Sequence, residues 1–180
     1  MKINKTFIED LLIIEPQLFK DDRGFFYESY NKNNLDKVIN IVFVQDNESK
    51  SNKGVIRGLH FQAPPFEQTK LVRCVSGNIL DVAVDIRKNS KTYGKSFSVE
   101  LSSENNKQLF VPKGFAHGFQ VLSEDAIVNY KVDNFYNPKY DSGIIWNDKD
   151  LSIDWNQDIK PVLSKKDLKL DLFKNLKSPF

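Results

Sequence analysis

The chain has 180 residues, of which 40% are apolar and 12% aromatic, and its formal net charge is +2. This composition fits one folded domain with a sizeable core and excludes a disordered chain. Positive and negative residues are mixed along the sequence, so nothing favours nucleic acid or an anionic membrane as a partner.

Short runs with period-two alternation, rich in β-branched and aromatic residues, are separated by turn signals along most of the chain. The predicted strands are Leu11–Ile14, Gly24–Ser29, Ile41–Gln45, Val55–Phe61, Lys70–Val75, Asn78–Ile86, Phe97–Leu101, Gln108–Val111, Gly118–Leu122 and Ala126–Val132. Residues 34–39 are predicted to form a short helix, and Ser164 to cap another near the C-terminus. Closely spaced strands with little helical periodicity predict an all-β antiparallel sandwich or barrel, such as a jelly roll.

Strand parity predicts which side chains share a face. In Val55–Phe61, His60 shares its face with Gly58, whose missing side chain is expected to leave room for a ligand against the imidazole. Arg57 is predicted to point the other way. In the last strand, Tyr130 lies on an apolar face, where its hydroxyl needs a partner.

The sequence carries no signal for export or membrane insertion. Residues 1–5 are not followed by the apolar region and cleavage site of a signal peptide, and no apolar stretch approaches the roughly 20 residues that cross a bilayer. The only cysteine, Cys74, excludes an intrachain disulfide and suits a reducing compartment. We therefore expect a soluble, cytoplasmic protein, in which Cys74 is a buried, inert thiol.

Two histidines, His60 and His117, are the side chains whose unperturbed pKa lies nearest neutrality. A metal site usually needs paired histidines such as His-x-His, which this chain lacks. The sequence also contains no Gly-x-Ser-x-Gly elbow, P-loop or Gly-x-Gly-x-x-Gly stretch. Proton transfer without a metal remains as the predicted chemistry, with His60 as the candidate base.

A histidine base needs a carboxylate to orient its ring, and Asp81, Asp85 and Asp167 are all candidates. The alternative for His60 is a core histidine without a catalytic role. The residues alone leave both questions open.

A series of motifs, in order and at matching intervals, resembles the dTDP-4-dehydrorhamnose 3,5-epimerase family over roughly residues 5–170. These motifs are Asp22-Arg23-Gly24-Phe25-Phe26, Phe43-Val44-Gln45-Asp46-Asn47, Arg57-Gly58-Leu59-His60-Phe61-Gln62, Lys70-Leu71-Val72-Arg73, Asp81-Val82-Ala83-Val84-Asp85-Ile86-Arg87, Pro112-Lys113-Gly114-Phe115-Ala116-His117-Gly118-Phe119, Asn129-Tyr130-Lys131, Tyr136-Asn137-Pro138, Ile145-Trp146-Asn147-Asp148 and Leu163-Ser164-Lys165-Lys166-Asp167.

The resemblance implies an antiparallel, cupin-like jelly-roll barrel with a few short peripheral helices, acting as a homodimer without a metal or cofactor. It implies a single epimerase domain over residues 1–180, with residues 171–180 as a C-terminal tail. The implied reaction inverts C3 and C5 of dTDP-4-dehydro-6-deoxy-D-glucose and yields dTDP-4-dehydro-L-rhamnose for dTDP-L-rhamnose synthesis.

The resemblance also implies the catalytic roles. His60 would remove the proton and Asp167 would pair with its ring, while Tyr130 would return a proton from the opposite face. Lys70 would stabilise the oxyanion at C4. Asp81 matches a further active-site carboxylate of the family, through a link to His117.

Substrate-binding positions carry over in the same way. The implied ligands of the nucleotide, diphosphate or sugar are Arg23, Glu28, Gln45, Asp46, Asn47, Arg57, Lys70, His117, Asp141 and Lys166. Arginine forks and lysine charges are the groups that meet a diphosphate best. Parity, however, points Arg57 away from His60, so it reaches the diphosphate only if the strand bends or if it serves another pocket, such as one across the dimer interface.

Two positions depart from the family's pattern. Asp141 stands where glutamate is frequent, and we expect the contact of this shorter side chain with the ligand to be lost or bridged by water. Thr69 stands where a smaller residue is common and is expected to make the loop before Lys70 bulkier.

Four rival functions follow from the sequence: an epimerase of one centre only, an enzyme for a different base or sugar, a non-catalytic sugar-binding cupin, and a metal-dependent cupin enzyme. The joint presence of His60, Tyr130, Lys70 and Asp167 argues against the non-catalytic cupin, because binding alone does not require an acid and a base on opposite faces. The missing histidine pair argues against the metal-dependent enzyme.

Overall fold

The computed structural model describes residues 1–180, and β-strands dominate it. The strands are β1 Lys2–Lys5, β2 Leu12–Glu15, β3 Phe19–Asp21, β4 Gly24–Phe26, β5 Gln45–Asn52, β6 Ile56–Gln62, β7 Lys70–Ser76, β8 Asn78–Asp85, β9 Ser96–Ser102, β10 Gln108–Val111, β11 Phe115–Val121, β12 Asp125–Val132 and β13 Asp141–Gly143. The helical segments are α1 Lys32–Leu35 and two 3-10 turns, Asp167–Lys169 and Phe173–Asn175. No helix has the length and apolar character needed to span a membrane.

The strands form two antiparallel sheets and a separate hairpin. One sheet has the order β1-β2-β10-β7-β12-β5, the other has the order β13-β6-β11-β8-β9, and β3 pairs only with β4. Each sheet therefore joins strands that are distant in sequence, as in a jelly roll. The predicted all-β, cupin-like architecture is confirmed.

The core lies between the two sheets, where alternate residues of each strand point inward. From the six-stranded sheet, β7 contributes Val72 and β12 contributes Val128, while the opposing sheet contributes Phe119 of β11. All three side chains are at most 5% exposed. Their burial removes the apolar faces of both sheets from water, which is the main source of stability in such a fold.

The outer face of the five-stranded sheet is covered by the C-terminal segment. Trp155 packs there with Val82 and Val84 of β8, and residues as far along as Phe180 join the same cluster. The Ser178 hydroxyl also donates a hydrogen bond to the carbonyl of Ile86. This covering brings residues 163–167 against the mouth of the barrel beside β6.

A β-bulge in β6 changes the predicted facing of its side chains. His60 pairs with His117 and Arg57 with Phe119, so three steps along β6 match two steps along β11. One extra residue reverses the alternation, and Arg57 and His60 therefore face the same cavity. The parity prediction for Arg57 was wrong, and a local bend in the strand is the reason.

Gly58 lies inside this bulge, and the prediction that it leaves space for a ligand was wrong. Its φ is +137°, and a Cβ atom there would lie 2.5 Å from the Cα of Gly118. The absent side chain thus lets the backbones of β6 and β11 approach each other closely.

Several element predictions differ from the structure at their ends. Residues 41–44 are not in a strand, and β5 instead runs through the polar residues that follow. The second predicted strand is shortened to β4, and the predicted helix at 34–39 is replaced by α1. Three short strands, β1, β3 and β13, have too few alternating apolar residues to be predicted from their pattern.

Candidate active site

One cavity of about 470 Å³ opens at the end of the barrel and gathers most of the predicted catalytic side chains. Its lining residues are Ser49, Val55, Ile56, Arg57, His60, Lys70, His117, Phe119, Tyr130, Val162, Leu163, Ser164, Lys166 and Asp167. Residues from both sheets and from the C-terminal segment therefore meet around a single space.

His60 of β6 is oriented by a carboxylate that is distant in sequence. Its Nε2 lies 2.6 Å from Oδ1 of Asp167. A carboxylate accepts hydrogen bonds, so Nε2 carries the proton and Nδ1 keeps the lone pair of a base. Of the three candidate partners left open by the sequence, Asp167 is the one that contacts His60.

Asp167 is itself held in its charged form. Burial disfavours the carboxylate, but hydrogen bonds from His60 and from Ser164 outweigh this effect and keep the pKa of Asp167 below its usual value. The backbone N–H of Asp167 donates to the Ser164 hydroxyl at 3.0 Å. The predicted helix capped by Ser164 is not formed: a 3-10 turn stands there instead, its N-cap position is Lys166, and no side chain caps it at that position.

A second histidine–aspartate pair lies deeper in the barrel. Nε2 of His117 is 2.9 Å from Oδ1 of Asp81, which is fully buried and lies on the neighbouring strand β8. Burial lowers the pKa of His117, so this imidazole is neutral at neutral pH. The other oxygen of Asp81 is buried without a hydrogen-bond partner. The remaining candidate carboxylate, Asp85, binds Arg87 and does not reach either histidine.

Lys70 brings a cation into the cavity at the start of β7. Desolvation lowers the pKa of its ammonium group to about 8, against the opposing attraction of Asp81 and Asp141. The lysine is therefore still charged at neutral pH but close to losing its proton.

Tyr130 reaches the cavity from β12, in the sheet opposite His60. It packs against the core cluster, on the same face of its strand as Ala126 and Val128, and this placement confirms the parity prediction. Burial raises the pKa of its hydroxyl, although the nearby charge of Arg57 opposes this. The phenol is thus protonated at neutral pH.

Lys166 and Asp141 lie together at the rim of the cavity. The Asp141 carboxylate accepts hydrogen bonds from the Lys166 ammonium group and, at 2.9 Å, from the Tyr136 hydroxyl. This contact raises the pKa of both donors. The carboxylate of Asp141, which is shorter than the glutamate frequent at this position, therefore hydrogen bonds to residues of its own chain.

The remaining predicted binding residues are divided between the barrel and its surface. Gln45 and Asn47 lie on the inward face of β5 and hydrogen bond to each other at 2.7 Å, whereas Asp46 faces outward and pairs with Lys131. Arg23 is at the tip of the β3–β4 hairpin and pairs with Asp21, away from the cavity of its own chain.

Glu28 also lies outside the cavity. It hydrogen bonds to Asn31 at 2.9 Å, beside the start of α1. In the single chain, then, Arg23, Glu28 and Asp46 all lie outside the lining of the cavity.

The loop before Lys70 is anchored to the segment after β12. Thr69 is 2% exposed, and its backbone N–H donates to Oδ1 of Asp133 at 2.6 Å. Gln68 donates to the carbonyl of Asn134 at 2.7 Å. The larger side chain at 69 is thus accommodated by burial at the base of the loop.

Cys74 takes no part in the site. It is 3% exposed, and burial raises its pKa to about 11, so the thiol stays protonated and unreactive. This agrees with the prediction of an inert thiol. No group of three or more His, Cys, Asp and Glu side chains is arranged to hold a metal ion.

Sequence reasoning missed two serines of β5. Ser49 lines the cavity and its hydroxyl has no hydrogen-bond partner, while the Ser51 hydroxyl accepts a hydrogen bond from Nε of Arg57 at 2.9 Å. The available signal was the polar alternation Gln-x-Asn-x-Ser-x-Ser, which places four polar side chains on one face of a strand.

Comparison with known proteins identifies the same group of enzymes over nearly the whole chain. The model of the dTDP-4-dehydrorhamnose 3,5-epimerase family matches residues 5–175. The dTDP-4-dehydrorhamnose 3,5-epimerase of Escherichia coli K12 is 53% identical over 172 residues, which are 94% of this chain and 93% of that protein.

Solved structures agree in fold. The epimerase of Elizabethkingia anophelis is 50% identical with a TM-score of 0.93, covering 99% of this chain and 98% of that one. The Legionella pneumophila enzyme, solved in complex with dTDP-4-keto-L-rhamnose, is 45% identical with a TM-score of 0.93, covering 97% and 94%.

The fold and these matches define a cupin-like epimerase of nucleotide sugars. More narrowly, the chain belongs to the dTDP-4-dehydrorhamnose 3,5-epimerase family.

Proposed function

We propose that the protein epimerises dTDP-4-dehydro-6-deoxy-D-glucose at C3 and C5 to give dTDP-4-dehydro-L-rhamnose, a step of dTDP-L-rhamnose biosynthesis, with no metal or cofactor. The observation that carries this proposal is the placement of His60 and Tyr130 on opposite walls of one cavity, in a chain of this family. A sugar ring between the two walls would present one face to each side chain.

The base in this scheme is His60. The C4 ketone acidifies the hydrogens on C3 and C5, so one base can address both carbons in turn. Nδ1 of His60 takes the proton, and the negative charge of Asp167 stabilises the imidazolium that forms.

Loss of the proton leaves an enolate with negative charge on the C4 oxygen. Lys70 supplies a positive charge on the cavity wall, and the buried carboxylate of Asp81, which is paired with His117, favours its charged form. A fixed cation in a site of low dielectric stabilises this developing charge more than water would.

Inversion requires the new proton to arrive from the face opposite the base. Tyr130, protonated and in the opposing sheet, is placed to give that proton. His60 then releases its proton to solvent, Tyr130 regains one, and the enzyme returns to its starting state with no net gain or loss.

Deuterium exchange tests the function directly. Incubated with the dTDP-4-keto sugar in heavy water, the protein is expected to incorporate deuterium at both C3 and C5, which NMR of the recovered sugar measures. Exchange at one carbon only would support the single-centre alternative. Exchange at neither would contradict the epimerase function.

The low pKa of Lys70 predicts an alkaline limit to activity. As the pH rises through about 8, Lys70 loses its proton and its charge, so kcat/KM should fall along a limb centred near that value. Lys70→Gln, measured beside the wild type, should have a lower kcat/KM at every pH, and its pH profile should lack this limb. An unchanged limb in the variant would assign the ionisation to another group.

We further propose a cytoplasmic homodimer in which the β3–β4 hairpin contacts the second subunit. Phe19, Phe25 and Phe26 of this hairpin are each more than half exposed, and β5 ends its sheet with an unpaired edge. Such surfaces are usually covered in a stable protein. This arrangement would carry Arg23 towards the partner's cavity. Sedimentation should give twice the mass of one chain, and a monomer would contradict the proposal.

A further inference from the structure

The cavity contains an arginine whose partner is a hydroxyl and not a carboxylate. Nε of Arg57 donates to the Ser51 hydroxyl at 2.9 Å, and no carboxylate lies within salt-bridge distance of its guanidinium group. Arg23 and Arg87, by contrast, pair with aspartates, while Arg73, which does not line the cavity, donates to the Tyr27 hydroxyl at 3.3 Å. Arg57 therefore keeps its full charge beside the cavity.

The position of the hydrogen bond determines which donors of Arg57 remain free. With Nε engaged, the two terminal amino groups form the end of the guanidinium fork, and their N–H groups suit two oxygens of a phosphate. Because a guanidinium is planar, fixing Nε also fixes the plane in which these groups lie.

The Ser51 hydroxyl is held firmly by the fold. Ser51 is 6% exposed and pairs with Ala126 of β12, whereas Arg57 belongs to the opposing sheet. Their hydrogen bond thus links the two sheets at the edge of the cavity. The charge of Arg57 is felt within the cavity, since it acts on the Tyr130 hydroxyl.

We propose that Ser51 is a positioning residue, which orients the Arg57 fork towards the diphosphate of the substrate while leaving the arginine's charge unneutralised. This inference rests on the proposed function. A carboxylate at the same place would hold the guanidinium equally well, but it would cancel the charge that the diphosphate requires and would repel the phosphate oxygens.

A small set of variants at position 51 separates the orientation of Arg57 from its charge. Ser51→Thr keeps the hydroxyl, Ser51→Ala removes it, and Ser51→Asp replaces it with an anion. Ser51→Cys provides a second variant of similar size with a weak acceptor, should Ser51→Ala fail to fold. Ser98→Ala, an exposed serine on β9 outside the cavity, is the matched control.

The measurement is the affinity of each folded variant for dTDP by calorimetry, alongside its melting temperature. We expect Ser51→Thr and Ser98→Ala to bind like the wild type, Ser51→Ala or Ser51→Cys to bind about 10-fold more weakly, and Ser51→Asp roughly 100-fold more weakly. In an Arg57→Ala background, Ser51→Ala should have no further effect, because the group that it positions is gone.

Wild-type protein that fails to bind dTDP would contradict the proposed function itself. If the wild-type protein binds dTDP and both Ser51→Ala and Ser51→Asp bind it as tightly as the wild type does, only the role of Ser51 would be overturned. The role of Ser51 would also be overturned if Ser51→Ala weakened dTDP binding in the Arg57→Ala background by as much as it does in the wild type. The serine would then act independently of the arginine.

Discussion

His60→Ala is expected to abolish hydrogen exchange at both C3 and C5. Of the two histidines paired with aspartates, His60 has the more exposed side chain, at 31% against 8% for His117, and alanine leaves Asp167 with no ring to orient. Loss of a general base lowers rates by about 100- to 10,000-fold, so exchange in heavy water should fall by a factor in that range. NMR of the recovered sugar, measured over a time course, gives the rates at the two carbons separately.

The control for this variant is its affinity for dTDP, which binds in the site but does not react. Arg57, Lys70 and Lys166 remain in His60→Ala, so the affinity for dTDP should stay within a few-fold of that of the wild type. A variant that binds dTDP normally and still exchanges hydrogen at either carbon at the wild-type rate would show that another residue is the base. Loss at one carbon alone would show that the two centres use different bases.

The alternation of the strands predicted the facing of Tyr130 correctly, but it failed where a strand is irregular. Tyr130 lies where parity places it because β12 pairs with β5 without a register shift, and Ala126 and Val128 share its inner face. Arg57 and His60 are three residues apart and would normally face opposite sides. The bulge that unites them depends on the close approach of two backbones, which a single sequence does not reveal.

Backbone pairing with a neighbouring strand explains why the sequence did not predict β5. β5 consists entirely of polar residues, so its composition does not predict a strand. It forms because β12 supplies a full set of backbone partners from Gln45 to Asn52. The same strand brings Ser49 and Ser51 into the site, which is why both were missed.

The pairing of histidines with aspartates could not be derived from spacing. His60 and Asp167 are 107 residues apart, and their contact depends on how the C-terminal segment returns across the outer sheet. Only the family resemblance indicated Asp167 as the partner. Asp81 and His117, by contrast, meet because β8 and β11 are neighbours in one sheet.

Tyr130→Phe is expected to separate exchange from inversion. Phenylalanine preserves the packing of the ring against Val128 and the inner cluster but removes the only proton that this side chain can donate. His60 remains intact, and its side chain is 31% exposed, so a proton that it takes from carbon can be replaced by deuterium from solvent. The variant should therefore form the enolate and return deuterium to the original face.

The two rates are measured in one reaction. Deuterium incorporation should stay within about 10-fold of the wild-type rate, while net epimerisation should fall by roughly 100-fold or more. Tyr93→Phe, which removes a hydroxyl outside the cavity, is the matched control and should leave both rates unchanged. If Tyr130→Phe lowered both rates equally, Tyr130 would be needed to form the enolate and could not be only the acid. If it lowered neither, the proton would come from another group, and the two-wall arrangement of His60 and Tyr130 would not explain inversion.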